Sequence, residues 1–437
     1  MNAVRIGLLG LGTVGGGTLE LLARNSDEIA RRAGRPIRVT HASVRDTSRP
    51  RGPHAGHMQL LADPFELVHH PQIDIVAELI GGIEPARALV LAAINAGKHV
   101  VTANKALIAH HGNEIFEAAR RAGVAVGFEA AVAGGIPIIK TLREGLAGNR
   151  IEGLAGIING TSNFILTQMR GAGLDFATAL ADAQRLGYAE ADPGFDIDGV
   201  DAAHKLSILA AIAFGMPLCF EQVHVEGIRD LSAVDVDYAG QLGYRLKLLG
   251  IARRTDHGVQ LRVHPTLLPQ RHLLAQVDGV INAVLVDSDA LGQSLYYGAG
   301  AGAGPTASAV VADLVDIARA LTIDPEHRVP YLAFHHDRLE ALPILPIDAV
   351  ETAFYLRLTA LDRPGVLADV TRILGDQHIS IEAILQKEPP PGESHVAVIL
   401  LTHKVRERAL REAIARIEAL PSIDGRVVSL RLDHLEH

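Results

Sequence analysis

The stretch Val4-Arg-Ile-Gly7-Leu-Leu-Gly10-Leu-Gly12-Thr-Val-Gly15 runs from an apolar segment into glycines spaced G-x-G-x-x-G, and then into a helical pattern. It predicts a strand Val4–Leu9, a tight turn at Gly10 and an exposed backbone at Gly12 that a pyrophosphate can approach. Gly15 is placed where helix and strand pack closely. The N-terminus of the helix that follows, with its free N–H groups, attracts the phosphates. Such a glycine turn can also be purely structural. Working outward, Ile37–Ala42, Ile73–Leu79, Lys98–Thr102 and Ala125–Phe128 are strand candidates, and Thr18–Arg32, Pro85–Ala96 and Asn113–Arg121 are helix candidates. Strands alternating with helices at this spacing imply βαβ units and a parallel sheet over residues 1–133.

Beyond residue 133 the pattern changes. Helical periodicity dominates at Asn163–Met169, Phe176–Leu186, Asp201–Phe214 and Asp237–Leu248, followed by alternating segments at Val259–Pro265 and Gly279–Val286. Residues 134–304 therefore read as an α+β substrate domain. The glycine-rich run 298–304 opens a helix Pro305–Leu321, and residues 305–337 are expected to return to the first domain. Pro343 and Pro346 mark 338–351 as a linker. Residues 352–437 follow their own βαββαβ order, which is ferredoxin-like. Its strands 379–386 and 394–402 flank a hairpin loop at Glu388-Pro-Pro-Pro-Gly-Glu393.

Composition narrows the function. With 437 residues, 48% apolar and 21% charged, the chain can bury several cores. A net charge of −9 argues against nucleic-acid or acidic-membrane partners. One cysteine excludes an intrachain disulfide and any multi-cysteine metal site. The apolar N-terminus breaks into glycines too early for a signal peptide, and the run Leu206–Phe220 is too short and broken to span a bilayer, so the cytosol is expected.

The chemistry-bearing residues gather in a few places. Asp201 and Lys205 are four apart on one helical face, so their charged heads can meet. The apolar continuation to Phe214 buries that helix, and a buried lysine readily shifts its pKa, as proton transfer requires. A surface ion pair is the alternative. Glu190, Asp192, Asp196 and Asp198 precede the helix and suit a substrate ammonium. The turn Asn159-Gly160-Thr161-Ser162-Asn163 either holds a carboxylate or merely caps a helix. Asn104 and Lys105 end an apolar strand, where ligands of open α/β sheets collect, although Lys105 also reads as a surface lysine. After the second strand, Arg45 favours the 2′-phosphate of NADP and Asp46 leaves NAD open. Arg45 also belongs to an arginine-rich, solvated stretch. The irregular turn Glu129-Ala-Ala-Val132-Ala-Gly134-Gly135-Ile136 exposes carbonyls that suit a hard cation. Cys219 lies in an apolar run and is a poor nucleophile. The histidine pairs 69–70, 110–111 and 335–336 have no metal-ligand spacing.

The ordered set GLGTVG, GKHVVTANKAL, EAAVAGGIPII, NGTSNFIL, GYAEADPGFDIDGVDAAHKLSILA and GAGAGAGPTASAVVADL resembles the homoserine dehydrogenases over residues 1–330. Leu361-Asp-Arg-Pro-Gly365-Val-Leu367-Ala-Asp369-Val resembles the start of an ACT domain. The resemblance implies a Rossmann-type first domain and reversible NAD(P)H-dependent reduction of L-aspartate 4-semialdehyde to L-homoserine, a step toward threonine, methionine and isoleucine. It assigns Lys205 as general acid/base, Asp201 as its partner, and Lys105 beside both cofactor and substrate. Glu190, Asp196, Tyr188, Gly160 and Thr161 would bind substrate. Gly10, Gly12, Thr13, Val14, Gly15, Arg45, Asn104, Lys105 and Gly302 would bind cofactor. Glu129, Val132, Gly134 and Ile136 would hold sodium, largely through backbone. Asp362, Gly365 and Leu367 would form a regulatory site for L-threonine, the alternative being a module that only dimerises. A homodimer or homotetramer is implied. Other readings of the same residues are another NAD(P)-dependent amino-acid oxidoreductase or a non-enzymatic dinucleotide and amino-acid sensor.

Overall fold

The computed structural model describes residues 2–49, 53–387 and 394–435. Six strands form the first sheet: β1 (Val4–Leu9), β2 (Ile37–Ser43), β3 (Gln59–Leu61), β4 (Ile75–Glu78), β5 (His99–Thr102) and β6 (Val126–Gly127). Their order is β3-β2-β1-β4-β5-β6, with each neighbouring pair parallel. This is the doubly wound arrangement that binds dinucleotides at the carboxyl ends of its strands. The helix predicted at Thr18–Arg32 breaks at Asn25 into Thr13–Arg24 and Ser26–Ala33. Helix Ala303–Ala320 returns from far along the chain to this sheet. Its Ala309, Val310, Leu314 and Ile317 join Val4, Ile6 and Leu8 in one buried cluster. Burying each large apolar side chain contributes roughly 1.5–3 kcal/mol. Contact is close because Gly17 lacks a side chain: a Cβ there would stand 2.6 Å from the Ala303 carbonyl oxygen.

The middle region supplies β7 (Ile151–Ile157), β8 (His224–Val225), β9 (Tyr244–Thr255), β10 (Gly258–Pro269), β11 (Ile281–Ser288) and β12 (Gly292–Ala299). The helix predicted at Asp237–Leu248 is corrected here. Helix ends at Gln241, Gly243 takes φ 83°, and Tyr244 opens β9. The run Leu246–Ile251, apolar but for Lys247, is buried on both faces, so its periodicity fits either element. Pairing decides it, because β9 is hydrogen-bonded to β10 along its whole length and to β7 on the other side.

Residues 351–432 form β13 (Glu351–Leu361), β14 (Ile381–Gln386), β15 (His395–Thr402), β16 (Val405–Arg406) and β17 (Ile423–Leu432), with helices Val366–Asp376 and Glu407–Glu418. The order β17-β13-β15-β14 is antiparallel and ferredoxin-like. The hairpin loop expected at Glu388–Glu393 lies outside the described residues. This module is not an appendage. β17 pairs in parallel with β10 at Thr266↔Arg431 and Leu267↔Leu432, so the two regions share one eleven-stranded sheet among the described residues. The segment 338–351 is docked as well: Val259 N–H donates to the Pro343 carbonyl at 2.8 Å, and Leu345 N–H to the Val259 carbonyl at 2.9 Å. No helix among the described residues is long and apolar enough to cross a membrane.

Candidate active site

Helix Val200–Phe214 carries the centre of the site, and every residue from Asp201 to Phe214 is buried. Its entry is fixed by Gly199, which takes φ 87° with Val225 at 3.0 Å from where a Cβ would lie. An ammonium in such a helix must be paired. Lys205 Nζ donates to Asp201 Oδ2 at 2.7 Å and to the Ile158 carbonyl at 2.7 Å. An ammonium has three N–H donors, so one remains for a ligand. Lys105 Nζ stands 2.6 Å from Asp201 Oδ1 as an ion pair, outside hydrogen-bond alignment, and 5.4 Å from the centroid of the Phe195 ring. The Asn159 amide donates to Asp201 Oδ2 at 2.8 Å and to Asp196 Oδ1 at 2.7 Å.

Burial lowers the Lys205 pKa, and the charge of Asp201 recovers only part of the shift. Burial opposes ionisation of Asp201 too, but the two lysines outweigh it and hold the carboxyl well below its usual range. Asp196 is raised by burial and by the charge of Asp201, with the Asn159 hydrogen bond opposing. His204 is pushed down to about 4, chiefly by burial, between the rings of His110, Phe195 and Phe220. A buried ammonium with a lowered pKa and a spare N–H is equipped to give and retake a proton.

The turn after β7 borders this centre. Thr161 Oγ1 donates to the Tyr188 carbonyl at 2.7 Å, and the Tyr188 ring packs on Phe164. Gly160 is sterically required, since a Cβ would lie 2.8 Å from the Val280 carbonyl oxygen. Glu190 is exposed at the rim, and Gln184 holds its backbone carbonyl at 3.1 Å rather than its carboxylate. Sequence placed Glu190 among the substrate residues; the structure gives its carboxylate no hydrogen bond within this cluster.

The glycine turn meets the first sheet as its spacing requires. Gly10 takes φ 97°, and a Cβ on Gly15 would lie 2.3 Å from the Gly10 carbonyl oxygen. Gly12 caps helix Thr13–Arg24 and faces open space, as a cradle for a pyrophosphate needs. Gly302 caps helix Ala303–Ala320 at φ 111°. The fully buried Glu78 ties the neighbouring strand ends together. Its carboxylate accepts from the N–H groups of Ile80 (2.9 Å) and Gly81 (3.0 Å) and from Thr102 Oγ1 (2.6 Å). Asn104 caps helix Lys105–Ala122 through Leu107 N–H and donates to the Gly82 carbonyl. Lys105 is thus delivered from the cofactor side onto Asp201. Arg45 is exposed just past the end of β2, whereas Asp46 Oδ1 is occupied by the backbone and hydroxyl of Ser48 at 2.9 and 2.6 Å.

Comparison with known proteins places this arrangement. Residues 10–129 match the NAD-binding domain of homoserine dehydrogenase, 137–315 the homoserine dehydrogenase domain and 354–422 the ACT domain. A homoserine dehydrogenase of Pseudomonas aeruginosa is 59% identical over 436 residues, covering 100% of both chains. The crystal structure of a homoserine dehydrogenase from Thiobacillus denitrificans superposes with a TM-score of 0.95 at 63% identity, covering 100% of this chain and 99% of that one. The chain belongs to the homoserine dehydrogenase family. It is an NAD(P)-dependent oxidoreductase with a nicotinamide dinucleotide domain and an ACT domain. A hyperthermophilic archaeal homoserine dehydrogenase solved with NADPH superposes with a TM-score of 0.62 at 29% identity, over 72% of this chain and 98% of that one.

Other candidate residues of this homoserine dehydrogenase fold lie in two further places. In the cation turn, Glu129 is buried, and its carboxylate accepts from Ile139 N–H (2.9 Å) and Lys140 N–H (2.8 Å). Burial pushes its pKa up to about 7. Ala133 and Gly134 take successive positive φ values of 55° and 51°. Asp313, which the sequence did not single out, accepts from Glu129 N–H at 2.8 Å and is pushed up to about 8 by burial. Among the described residues no cluster of three or more His, Cys, Asp or Glu side chains could hold a metal. A cation here would be bound through backbone oxygens. In the ACT module a cavity of about 350 Å³ is lined by Asp362, Gly365, Leu367, Gln386, Val396 and Val398. Burial pushes the Cys219 thiol up to about 11, which removes it as a nucleophile.

Proposed function

We propose that this chain reversibly reduces L-aspartate 4-semialdehyde to L-homoserine with NADPH in the cytosol. The supporting observation is the buried Lys205 ammonium, fixed by Asp201 and Ile158 with one N–H left over, on the same centre that Lys105 reaches from the cofactor domain. A dinucleotide held by its pyrophosphate at the Gly10–Gly15 turn would supply the hydride that the aldehyde carbon accepts. Lys205 gives its proton to the aldehyde oxygen, and the amine so formed is restored by a proton from solvent. Asp201 keeps the ammonium oriented, and Lys105 steadies negative charge developing on that oxygen. Asp196 and Glu190 receive the substrate ammonium, with Tyr188, Gly160 and Thr161 shaping the wall and Asn104 holding the edge shared with the cofactor. Thr13, Val14 and Gly302 flank the phosphates.

Arg45 binds the 2′-phosphate, because Asp46 is already engaged by Ser48. Sodium sits on the turn formed by Glu129, Val132, Gly134 and Ile136, held largely through backbone oxygens, the donor type that suits a hard cation. L-threonine occupies the ACT cavity at Asp362, Gly365 and Leu367, and the protein works as a homodimer or homotetramer. The domains divide as 1–133 with 305–337, 134–304, the docked segment 338–351, and 352–437. The experiment is NADPH oxidation with aspartate semialdehyde, with and without threonine. Turnover that is absent with this substrate but present with another amino-acid aldehyde would overturn the assignment.

A further inference from the structure

The proton-transfer centre holds two carboxylates, Asp201 and Asp196, which serve different ends of the substrate in the reading above. A single side chain joins them. Asn159 is only 4% exposed, and its Nδ2 gives one hydrogen to Asp201 Oδ2 at 2.8 Å and the other to Asp196 Oδ1 at 2.7 Å. Its Oδ1 accepts from Ser162 N–H at 2.8 Å, capping helix Gly160–Ala172. The amide orientation follows from chemistry. Reversed, it would set a carbonyl oxygen against two carboxylates and an NH₂ against a backbone N–H. Every bonding group of this carboxamide is thereby committed. The Asp196 backbone carbonyl is also held, by Ser162 Oγ at 3.0 Å, so the same turn grips the acidic loop twice.

We infer that Asn159 is a positioning residue for the reaction: its amide bridges the carboxylate that orients Lys205 and the carboxylate that receives the substrate ammonium, fixing the distance between the two ends of the substrate. Capping alone does not account for it, because a serine or aspartate would cap the helix equally well and could not donate to both carboxylates. Without the bridge, two buried carboxylates face each other with no shared donor, and one takes up a proton or swings away. The charged groups facing them are Lys205 on the helix of Asp201 and Lys105 from the facing helix; the titratable His204 on the same helix is held neutral by burial, with His110 behind it, and Asp196 itself lies in the short helix Gly194–Ile197. The inference rests on the assignment of Lys205 as the proton donor.

The test compares Asn159→Ser and Asn159→Asp in the full-length chain, measuring kcat, both KM values, NADPH binding by fluorescence and melting temperature. Both substitutions keep a helix cap. For Asn159→Ser, kcat falls roughly tenfold and the semialdehyde KM rises, as expected for lost hydrogen bonds to charged groups. NADPH affinity and melting temperature stay near wild type. For Asn159→Asp the loss is larger at pH 8 and shrinks toward pH 6, because the introduced carboxyl regains one donor when protonated. Unchanged kinetics in both variants at every pH overturn the inference. So does a loss that only tracks weakened NADPH binding or melting, since Asn159 would then act in folding alone. Lys205→Met is run beside them. If that variant still turns over, the proton-donor assignment fails, whatever the Asn159 variants do.

Discussion

Two buried charge clusters in this chain use the same ingredients to opposite ends. Around Lys205, one carboxylate is shared by two ammonium groups, one of them misaligned, and an N–H is left without a protein partner. At the seam between the middle region and the ACT module, Arg431 donates to Glu226 at 2.6 and 2.8 Å and to Glu407, at 2.7 Å and through a second, shorter contact. Four of the five N–H groups of that guanidinium are engaged by two carboxylates. Close by, Arg262 pairs with Asp433 at 3.1 Å, and Asp235 is held by Arg357 and Tyr355. The pKa shifts separate the two clusters. Burial wins over attraction at Lys205, whose pKa falls, whereas attraction wins over burial at Arg431, whose pKa rises. A closed network holds elements together; an open one keeps a proton available. The seam also reaches the site: Glu226 is followed by Gly227, packed on Ile197 and Asp198, and Ile228 N–H donates to the Ile197 carbonyl at 2.8 Å.

The contrast can be broken from either side. Lys205→Met removes the donor and should lower kcat on the order of 10²-fold or more, with NADPH binding intact; steady-state rates and fluorescence titration check this. Arg431→Met leaves the almost fully buried Glu407 with only the half-exposed Arg411 and Glu226 with only His224, and should cost up to about 3–5 kcal/mol in denaturant unfolding. Its kcat per folded molecule should fall far less than that of Lys205→Met. An equal fall in both would erase the distinction between the clusters. Deleting residues 352–437 should likewise destabilise the remainder, because Glu226 and Asp235 lose their arginine partners Arg431 and Arg357; Asp362→Ala is therefore the cleaner probe of threonine response. The smallest effect is expected outside both clusters. Arg45→Ala should raise the KM for NADPH roughly tenfold, as for a lost charged hydrogen bond, and leave NADH unaltered.

Local sequence carried the doubly wound sheet, because each βαβ unit is built from contiguous residues with clear periodicity. It also carried the Asp201–Lys205 pair, since i,i+4 spacing on an apolar helix implies a buried contact. Five features were not legible. The Asp237–Leu248 run was read as helix because apolar residues buried on both faces have no distinguishing period, and only pairing with β10 and β7 resolves it. The Asn159 bridge and the Lys105–Asp201 contact each join residues about 40 or more positions apart. Asp313 lies 184 positions from Glu129, and β17 meets β10 more than 160 residues away, so neither meeting leaves a local pattern.

The decisive measurement is kcat against pH for the wild-type chain in both directions. Lys205 must be protonated to reduce the aldehyde and neutral to assist oxidation of the alcohol. Reduction is expected to fall and oxidation to rise with increasing pH, each through a pKa below the ordinary lysine value because burial lowers it. Rates that change in the same sense in both directions, or that ignore pH throughout this range, would contradict a lysine proton donor.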